Sequence, residues 1–429
     1  MENNKLYAII IVAVLIVAGV GAFFLMGSSD SEYRSTNTDG RLTVLGNANE
    51  DDYLDKEDVD ALEKMIGNGE YTLMADANND GKVDQKDVDM VKKIIEVVEY
   101  NDGKSDSDKK STTVNYITVD GDVQSAKIPV LKMIVLNSER ALSLSIAIDV
   151  ADRIVALNDY IVSAWDKNFF DNYKDLPSVG DRKEPSLEEI LKTDADTIYT
   201  GNSTTYGKNF DGYQIGDKQV IRLATWESGG LENGALMLGF FTGNNDEAHD
   251  YVKWMDDLNK EISGKLKSID NLSATRFYIG TPTFMYAGND GVATAFSATG
   301  ATNVGDALTA PGKSGMSTSS IIEDILAANP QYIIAGSTYY THMSFEEVKA
   351  KYDSYSYSKF AITDGYKNGE MFMVNYGMPF CIQTMLASHI LFDLYTEEQL
   401  GDKIQDYLDK FTEADDYDFQ LCHFLYIPA

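Results

Sequence analysis

The sequence predicts an α/β protein, a two-lobed domain whose halves are joined by one long helix, preceded by a small helical module with calcium-type loops and an N-terminal apolar span. Three observations carry this. Asn244–Ile269 places Ala248, Tyr251, Val252, Met255, Leu258, Ile262, Leu266 and Ile269 at three- and four-residue steps, the single apolar stripe of a long helix. On either side of that helix a theme recurs, PSLEEILKTDADTIYTG before it and SSIIEDILAANPQYIIAG after it, each a short helix followed by a buried strand. Nearer the N-terminus, NANEDDYLDKEDVDALEKMI from Asn47 repeats as DANNDGKVDQKDVDMVKKII from Asp76 with a period of 29 residues.

The long helix is expected to begin at Asn244 as N-cap with Glu247 three residues on, a capping-box spacing. Gly264 within it costs roughly 1 kcal/mol. From Thr112 onward helices and strands alternate, which implies mostly parallel sheets. In the first lobe (residues 112–243) Met133–Leu136, Arg153–Leu157 and Ala195–Tyr199 read as strands and Ser138–Val150 as a helix. After the helix at 244–269, the second lobe (270–429) offers strands at Arg276–Gly280, Gln331–Ala335 and Met371–Val374. Helices are expected there at Ile321–Ala328, Ile382–Leu394 and Gln399–Phe411.

The 429 residues suffice for two or three packed units, and 44% hydrophobic residues supply their cores. A formal charge of −32, from 68 acidic against 36 basic residues, argues against nucleic acid as a partner, since phosphate would be repelled over most of the surface. Leu6–Met26 runs 21 residues without a charge, long enough to cross a bilayer, and reads as an uncleaved anchor within residues 1–29; the small residues Ala18–Ala22 leave cleavage open. Lys5 before it and SSDSE after it place the rest of the chain outside the cytoplasm. The two cysteines, Cys381 and Cys422, leave pairing open.

Beyond a linker at residues 30–41, each repeat sets oxygen-bearing side chains at loop positions 1, 3, 5, 9 and 12, the spacing that wraps a hard cation. In the second copy these are Asp76, Asn78, Asp80, Asp84 and Asp87, with Lys82 giving a backbone carbonyl and Gly81 at the tight sixth position. In the first they are Asn47, Asn49, Asp51, Asp55 and Asp58, with Tyr53 as carbonyl donor. Two calcium ions are expected, the first held more weakly because that loop carries fewer carboxylates and Asp52 in place of the glycine. With aspartate at position 12 and one helix after each loop, residues 42–100 resemble a dockerin. That resemblance implies a cohesin partner, although Lys56-Glu57 and Gln85-Lys86 stand where the family's usual recognition pairs would be. Residues 101–111, NDGKSDSDKKS, read as a flexible tether.

From Thr112 to the end, NSERALSLSIAIDVADRIVALNDY, LPSVGDRKEPSLEEILKTDADTIYTG and IIEDILAANPQYIIAG around one connecting helix resemble the periplasmic substrate-binding proteins of iron-siderophore, haem and cobalamin ABC importers. The resemblance implies two periplasmic-binding-protein-like lobes on a rigid helical spine, a ligand cleft between them, and a membrane permease docked through one acidic residue per lobe. The matching positions are Glu188 and Glu323, with Glu189 and Asp324 beside them. Ligand contacts are expected from strand-end loops, which hold Trp165, Tyr206, Phe210, Tyr213 and Trp226 in the first lobe. In the second they hold Phe284, Tyr286, Tyr339, Tyr340, His342, Tyr376, Met378 and Phe380. Tyr206, Trp226, Tyr340 and Tyr376 are the selected ligand residues, since tyrosine and tryptophan offer a flat face and a polar tip to a planar or chelated ligand. Arg140, Arg182, Arg222 and Arg276 are a thin supply for a strongly anionic ligand, which favours a neutral or weakly charged chelate or a corrinoid.

No H-E-x-x-H, P-loop, G-x-S-x-G or C-x-x-C motif occurs, and His249, His342, His389 and His423 are far apart in sequence, so no enzyme is expected. The expectation is an extracytoplasmic, membrane-tethered receptor for a metal chelate; the alternative is a cell-surface scaffold or adhesion component that works through cohesin. Anchor, acidic surface and calcium module together suggest an archaeal cell surface.

Overall fold

A computed structural model of the chain describes residues 41–163, 167–225, 230–288, 290–311, 313–337, 343–414 and 417–428. The apolar segment Leu6–Met26 lies outside them; no helix of the described residues is long and apolar enough to cross a membrane. The chain divides into two compact units, one formed by Leu131–Leu231 with Asn244–Ala429, the other by Glu232–Gly243 with the chain up to Val130.

The larger unit holds both lobes. In the first, strands β3 (Met133–Leu136), β4 (Ile154–Leu157), β5 (Thr197–Thr200), β6 (Gln214–Ile215) and β7 (Lys218–Arg222) form a sheet of order β4-β3-β5-β7-β6. All its pairings are parallel except that of the edge strand β6. In the second, β8 (Arg276–Ile279), β10 (Thr302–Asn303), β12 (Tyr332–Ser337), β13 (Met371–Asn375) and β14 (Leu425–Tyr426) take the order β10-β8-β12-β13-β14, again parallel with one antiparallel edge. A two-stranded ribbon of β9 (Phe284–Tyr286) and β11 (Gly315–Ser317) lies within the second lobe. The four parallel strands of each lobe thus follow one plan: the second is outermost, then the first, the third and the fourth. This is the doubly wound arrangement, in which the chain reverses direction between the first and third strands.

Short apolar runs explain the central strands: Met133–Leu136 is buried at every position, as a strand covered on both faces requires. Ile134, Leu136, Ala156, Ile198 and Val220 share a core with Val179 and Ile190 of the first lobe. Tyr278, Ile333, Ala335, Met373 and Tyr426 do the same with Ile325, Val348 and Phe360 in the second.

Between the lobes in sequence runs a helix over Asn245–Leu266, with Ala248, Tyr251, Val252, Met255, Leu258, Ile262 and Leu266 buried. It ends before Ile269, which is only half-buried. Asn244 occupies the N-cap without the expected side-chain bond: its amide instead donates to Asp149 O at 2.9 Å and accepts from Arg153 at 3.1 Å, so it ties the helix start to the first lobe. The buried stripe meets the closing helices Phe380–Phe392 and Glu397–Phe411. There Tyr251 lies edge-on to Phe411 at 4.9 Å and Trp254 Nε1 donates to Asp406 at 2.7 Å. Cys381 and Cys422 are free thiols.

The smaller unit corrects two expectations. The helices Lys56–Asn68 and Gln85–Asn101 that follow the two loops pack through Val59, Leu62, Met65, Val88 and Val91. The hairpin of β1 (Thr112–Ile117) and β2 (Val123–Ile128) belongs with them and not with the first lobe, as does most of the Gly230–Thr242 helix. Leu45 N donates to Asn115 O and Ile117 N to Thr43 O, which brings the entry to the first loop alongside β1. Asn233 Nδ2 reaches Arg41 O at 2.6 Å, and Tyr116 stands edge-on to Phe241 at 5.0 Å. Residues 101–111 are not an open tether: the Asn101 side chain both donates to Lys110 O and accepts from Lys110 N, each at 2.8 Å, and Asp106–Asp108 forms a 3₁₀ turn.

Candidate functional site

At the carboxyl ends of the first lobe's strands, buried side chains shape the loops. Asn158 Nδ2 donates to Asn137 O at 2.9 Å while its Oδ1 accepts from Tyr160 N and Ile161 N. Arg222, buried at the end of β7, donates Nη1 to Gly201 O at 2.8 Å and to Tyr206 O at 3.1 Å. The Tyr206 ring lies so close to Gly201 that a Cβ there would stand 2.8 Å from it. Arg182 places its guanidinium 3.6 Å from the Tyr160 ring centre and 5.7 Å from that of Tyr206. Burial raises the pKa of the Tyr160 hydroxyl, and the charge of Glu139 raises it further; this phenol is hydrogen-bonded to both Glu139 and Arg182.

In the second lobe phenols do the equivalent work. Tyr357 donates to Gly280 O at 2.6 Å, Tyr355 to Gly336 O at 3.3 Å and Tyr278 to Thr281 O at 2.5 Å. Asp290 accepts from Val292 N and Ala293 N at the head of the Gly291–Ser297 helix. Tyr376 packs over Gly336: a Cβ at that glycine would lie 1.6 Å from the ring, so only glycine leaves the slot. Burial holds the Tyr376 hydroxyl far above the ordinary phenol range, and it has no hydrogen-bond partner among the described residues. The lobes meet where Arg140 of the first donates Nη2 to Tyr376 O of the second at 2.5 Å.

These contacts sort the sequence-selected ligand residues. Tyr206 and Tyr376 both reach strand-end loops; Tyr206 is buried and Tyr376 half-buried, and their rings pack against Gly201 and Gly336. The Tyr376 ring closes the slot over Gly336 and leaves part of the residue accessible. Trp226 and Tyr340 lie outside the described residues, as do Trp165, Tyr339 and His342. Tyr286 sits edge-on to Tyr376 at 5.6 Å and Phe284 is exposed beside it. The arginines are largely committed to the fold: Arg140 and Arg222 to carbonyls as above, Arg153 to Asn244, and Arg276 to Ala328 O at 2.9 Å. Sequence reading did not single out Glu139, which is 8% exposed and leaves its Oε2 without a partner among the described residues. Its signal was its place directly after a buried strand, in the LNSER segment.

The candidate docking residues head short helices. Glu188 lies in the first turn of Leu187–Lys192, its side chain 79% exposed and 2.8 Å from Lys192; Glu189 shares that lysine. Glu323 and Asp324 are exposed in the first turn of Ile322–Ala328.

The two repeat loops differ. In the second, Asp76 accepts from Asp80 N at 3.0 Å and Gly81 N at 2.7 Å, and Asp87 accepts from Asn78 N at 3.0 Å and Asp84 N at 2.8 Å. Asp76 and Asp87 are fully buried, and Asn78 keeps both amide atoms buried and unpartnered among the described residues. In the first, Asp58 repeats the Asp87 pattern through Asn49 N and Asp55 N. Asn47 instead donates Nδ2 to Leu42 O and Asp51 O, leaving its Oδ1 buried without a partner, and Asp52 is paired with Arg41. Burial among Asp51 and Asp55 pushes Asp58 up to about 7. No three acidic, histidine or cysteine groups among the described residues are gathered tightly enough to hold a metal alone; amide and main-chain oxygens would have to complete either shell.

A periplasmic binding protein family model matches residues 134–366, more than half of the chain. Among solved structures, the chain is similar to the TroA-like periplasmic binding protein FepB of Veillonella parvula, at 13% identity and a TM-score of 0.58, covering 71% of this chain and 97% of that one. It is also similar to a periplasmic solute binding protein of the same organism, at 12% identity and a TM-score of 0.56 over 72% and 94% of the two chains. A third likeness is to the molybdate periplasmic binding protein MolA of Haemophilus influenzae bound to molybdate, at 17% identity and a TM-score of 0.54 over 69% and 97%. No match was found among curated proteins.

Proposed function

The chain belongs to the periplasmic binding protein family, and from that premise we propose that it is the extracytoplasmic receptor of an ABC importer, delivering a metal chelate of the iron-siderophore, haem or cobalamin type to a membrane permease. The observation that carries the reading is the duplicated sheet. Two lobes of one strand plan, joined through a 22-residue helix, meet at Arg140 and Tyr376 beside their strand ends, where doubly wound sheets bind ligands. The commitment of Arg140, Arg222 and Arg276 to main-chain carbonyls favours a chelate of low negative charge over a strongly anionic one. Glu188 and Glu323 are assigned to permease docking, each presenting a carboxylate from a helix head. Replacing both with alanine is expected to abolish uptake into cells while leaving chelate binding by the purified protein intact. Unchanged uptake would sink the docking assignment.

The buried oxygens of the second loop, with the unpartnered Asn78 amide, fit a hard cation, and Asp76, Asn78, Asp80, Lys82, Asp84 and Asp87 would hold calcium there. Asn47, Asn49, Asp51, Tyr53, Asp55 and Asp58 would hold a second ion more weakly, since a neutral amide stands at position 1. Calcium bound in these loops would stiffen the smaller unit. The same loops support the second reading, a dockerin-like surface that joins a cohesin-bearing scaffold. Capture of a cohesin in calcium but not in chelator would favour it.

A further inference from the structure

We propose that the cavity at the lobe junction seats a small cationic, hydrogen-bond-donating group of the ligand, a protonated amine, against the carboxylate of Glu139; this rests on reading the molecule as a ligand receptor. The cavity, of about 50 Å³, lies between the Glu139–Ala147 helix of the first lobe, the Asn375–Met378 turn of the second and the end of the Glu397–Phe411 helix. By the measure in which one water needs roughly 10–15 Å³, it admits about three to five water-sized groups, the end of a ligand and not its whole body.

Its walls are mainly apolar, with Ile146, Phe169, Phe170, Met378, Leu408 and Phe411 among them. The polar groups on its lining are largely spent on the fold. Ser143 Oγ donates to Glu139 O, Thr412 Oγ1 to Leu408 O, and the Asn375 amide donates to His423 O and accepts from Gly377 N. What remains is an acceptor: Glu139 Oε2, on a side chain more than nine-tenths buried, with no partner among the described residues. A buried carboxylate oxygen left unpaired is costly, and a donor carrying positive charge relieves that cost most. An anion of equal size would be repelled, and a neutral alcohol would gain the hydrogen bond without the charge.

The test compares ethylammonium, acetate and ethanol, three probes of similar size, by ligand-observed NMR on the full-length protein. Ethylammonium is expected to bind saturably and acetate not at all. Glu139→Gln should weaken ethylammonium at least tenfold with an unchanged melting curve. Ile146→Phe, which fills the cavity and leaves the carboxylate in place, should abolish binding and serves if the first variant folds poorly. Acetate or ethanol binding as tightly as ethylammonium, or Glu139→Gln binding like the wild type, would overturn the proposal. Native mass spectrometry with whole chelates keeps the two failures apart. A retained chelate without saturable ethylammonium overturns only the amine seat, whereas saturable ethylammonium without any chelate supports the seat and removes the chelate reading.

Discussion

The two lobes build the same sheet and stabilise its working edge with different chemistry. In the first, one buried guanidinium, Arg222, gathers the carbonyls of Gly201 and Tyr206. In the second, three phenols, Tyr278, Tyr355 and Tyr357, each take one carbonyl, and Tyr376 fills the slot over Gly336. An arginine concentrates loop geometry in one side chain, whereas tyrosines distribute it over several rings that also supply core. The strand plan is therefore shared, and the loops above it are where the lobes diverge.

Substitutions can break this contrast. Gly336→Ala forces the Tyr376 ring out of its slot and should cost about 3 kcal/mol or more, read as a lowered midpoint in urea. An unchanged midpoint would show that the slot is not closed by that ring. Arg222→Met strands two buried carbonyls at once and should cost about 2–3 kcal/mol. Tyr357→Phe removes one bond, to Gly280 O, and keeps the ring, so about 1 kcal/mol is expected. If the phenol variant costs as much as the arginine variant, the second lobe is not distributed as argued.

The helix between the lobes offers a smaller, pH-dependent test. Burial, with Asp257 adding to it, pushes Asp256 up to about 7. The unfolded chain ionises this group near 4 while the folded chain keeps the proton, so it opposes folding increasingly as pH rises from about 4 to about 7. Asp256→Asn should accordingly raise the melting temperature at pH 8 and leave it nearly unaltered at pH 4. A gain of equal size at both pH values would remove ionisation as the cause.

Much of the two-lobed plan was legible because its strands are short apolar runs and its helices carry clear stripes. The burial of seven of the eight stripe residues of the connecting helix, all but Ile269, follows from spacing alone. The Gly230–Thr242 helix was not legible. Its LENGALMLGFF run is apolar on nearly every side and shows no stripe, and its place beside Arg41 and Tyr116 depends on contacts across more than a hundred residues. Asn101 closing back on Lys110 defeated a reading of residues 101–111 based on composition. The packing of the Tyr376 ring over Gly336 was not legible in the spacing; its sign was the glycine inside the β12 run. Glu139 escaped notice because a glutamate at a helix start ordinarily faces water.

The receptor reading is tested most directly by native mass spectrometry of the calcium-loaded protein challenged in turn with a ferric hydroxamate, haem and cobalamin. One chelate retained as a one-to-one adduct, with the other two not retained, is the expected result. No adduct with any of the three would contradict the account.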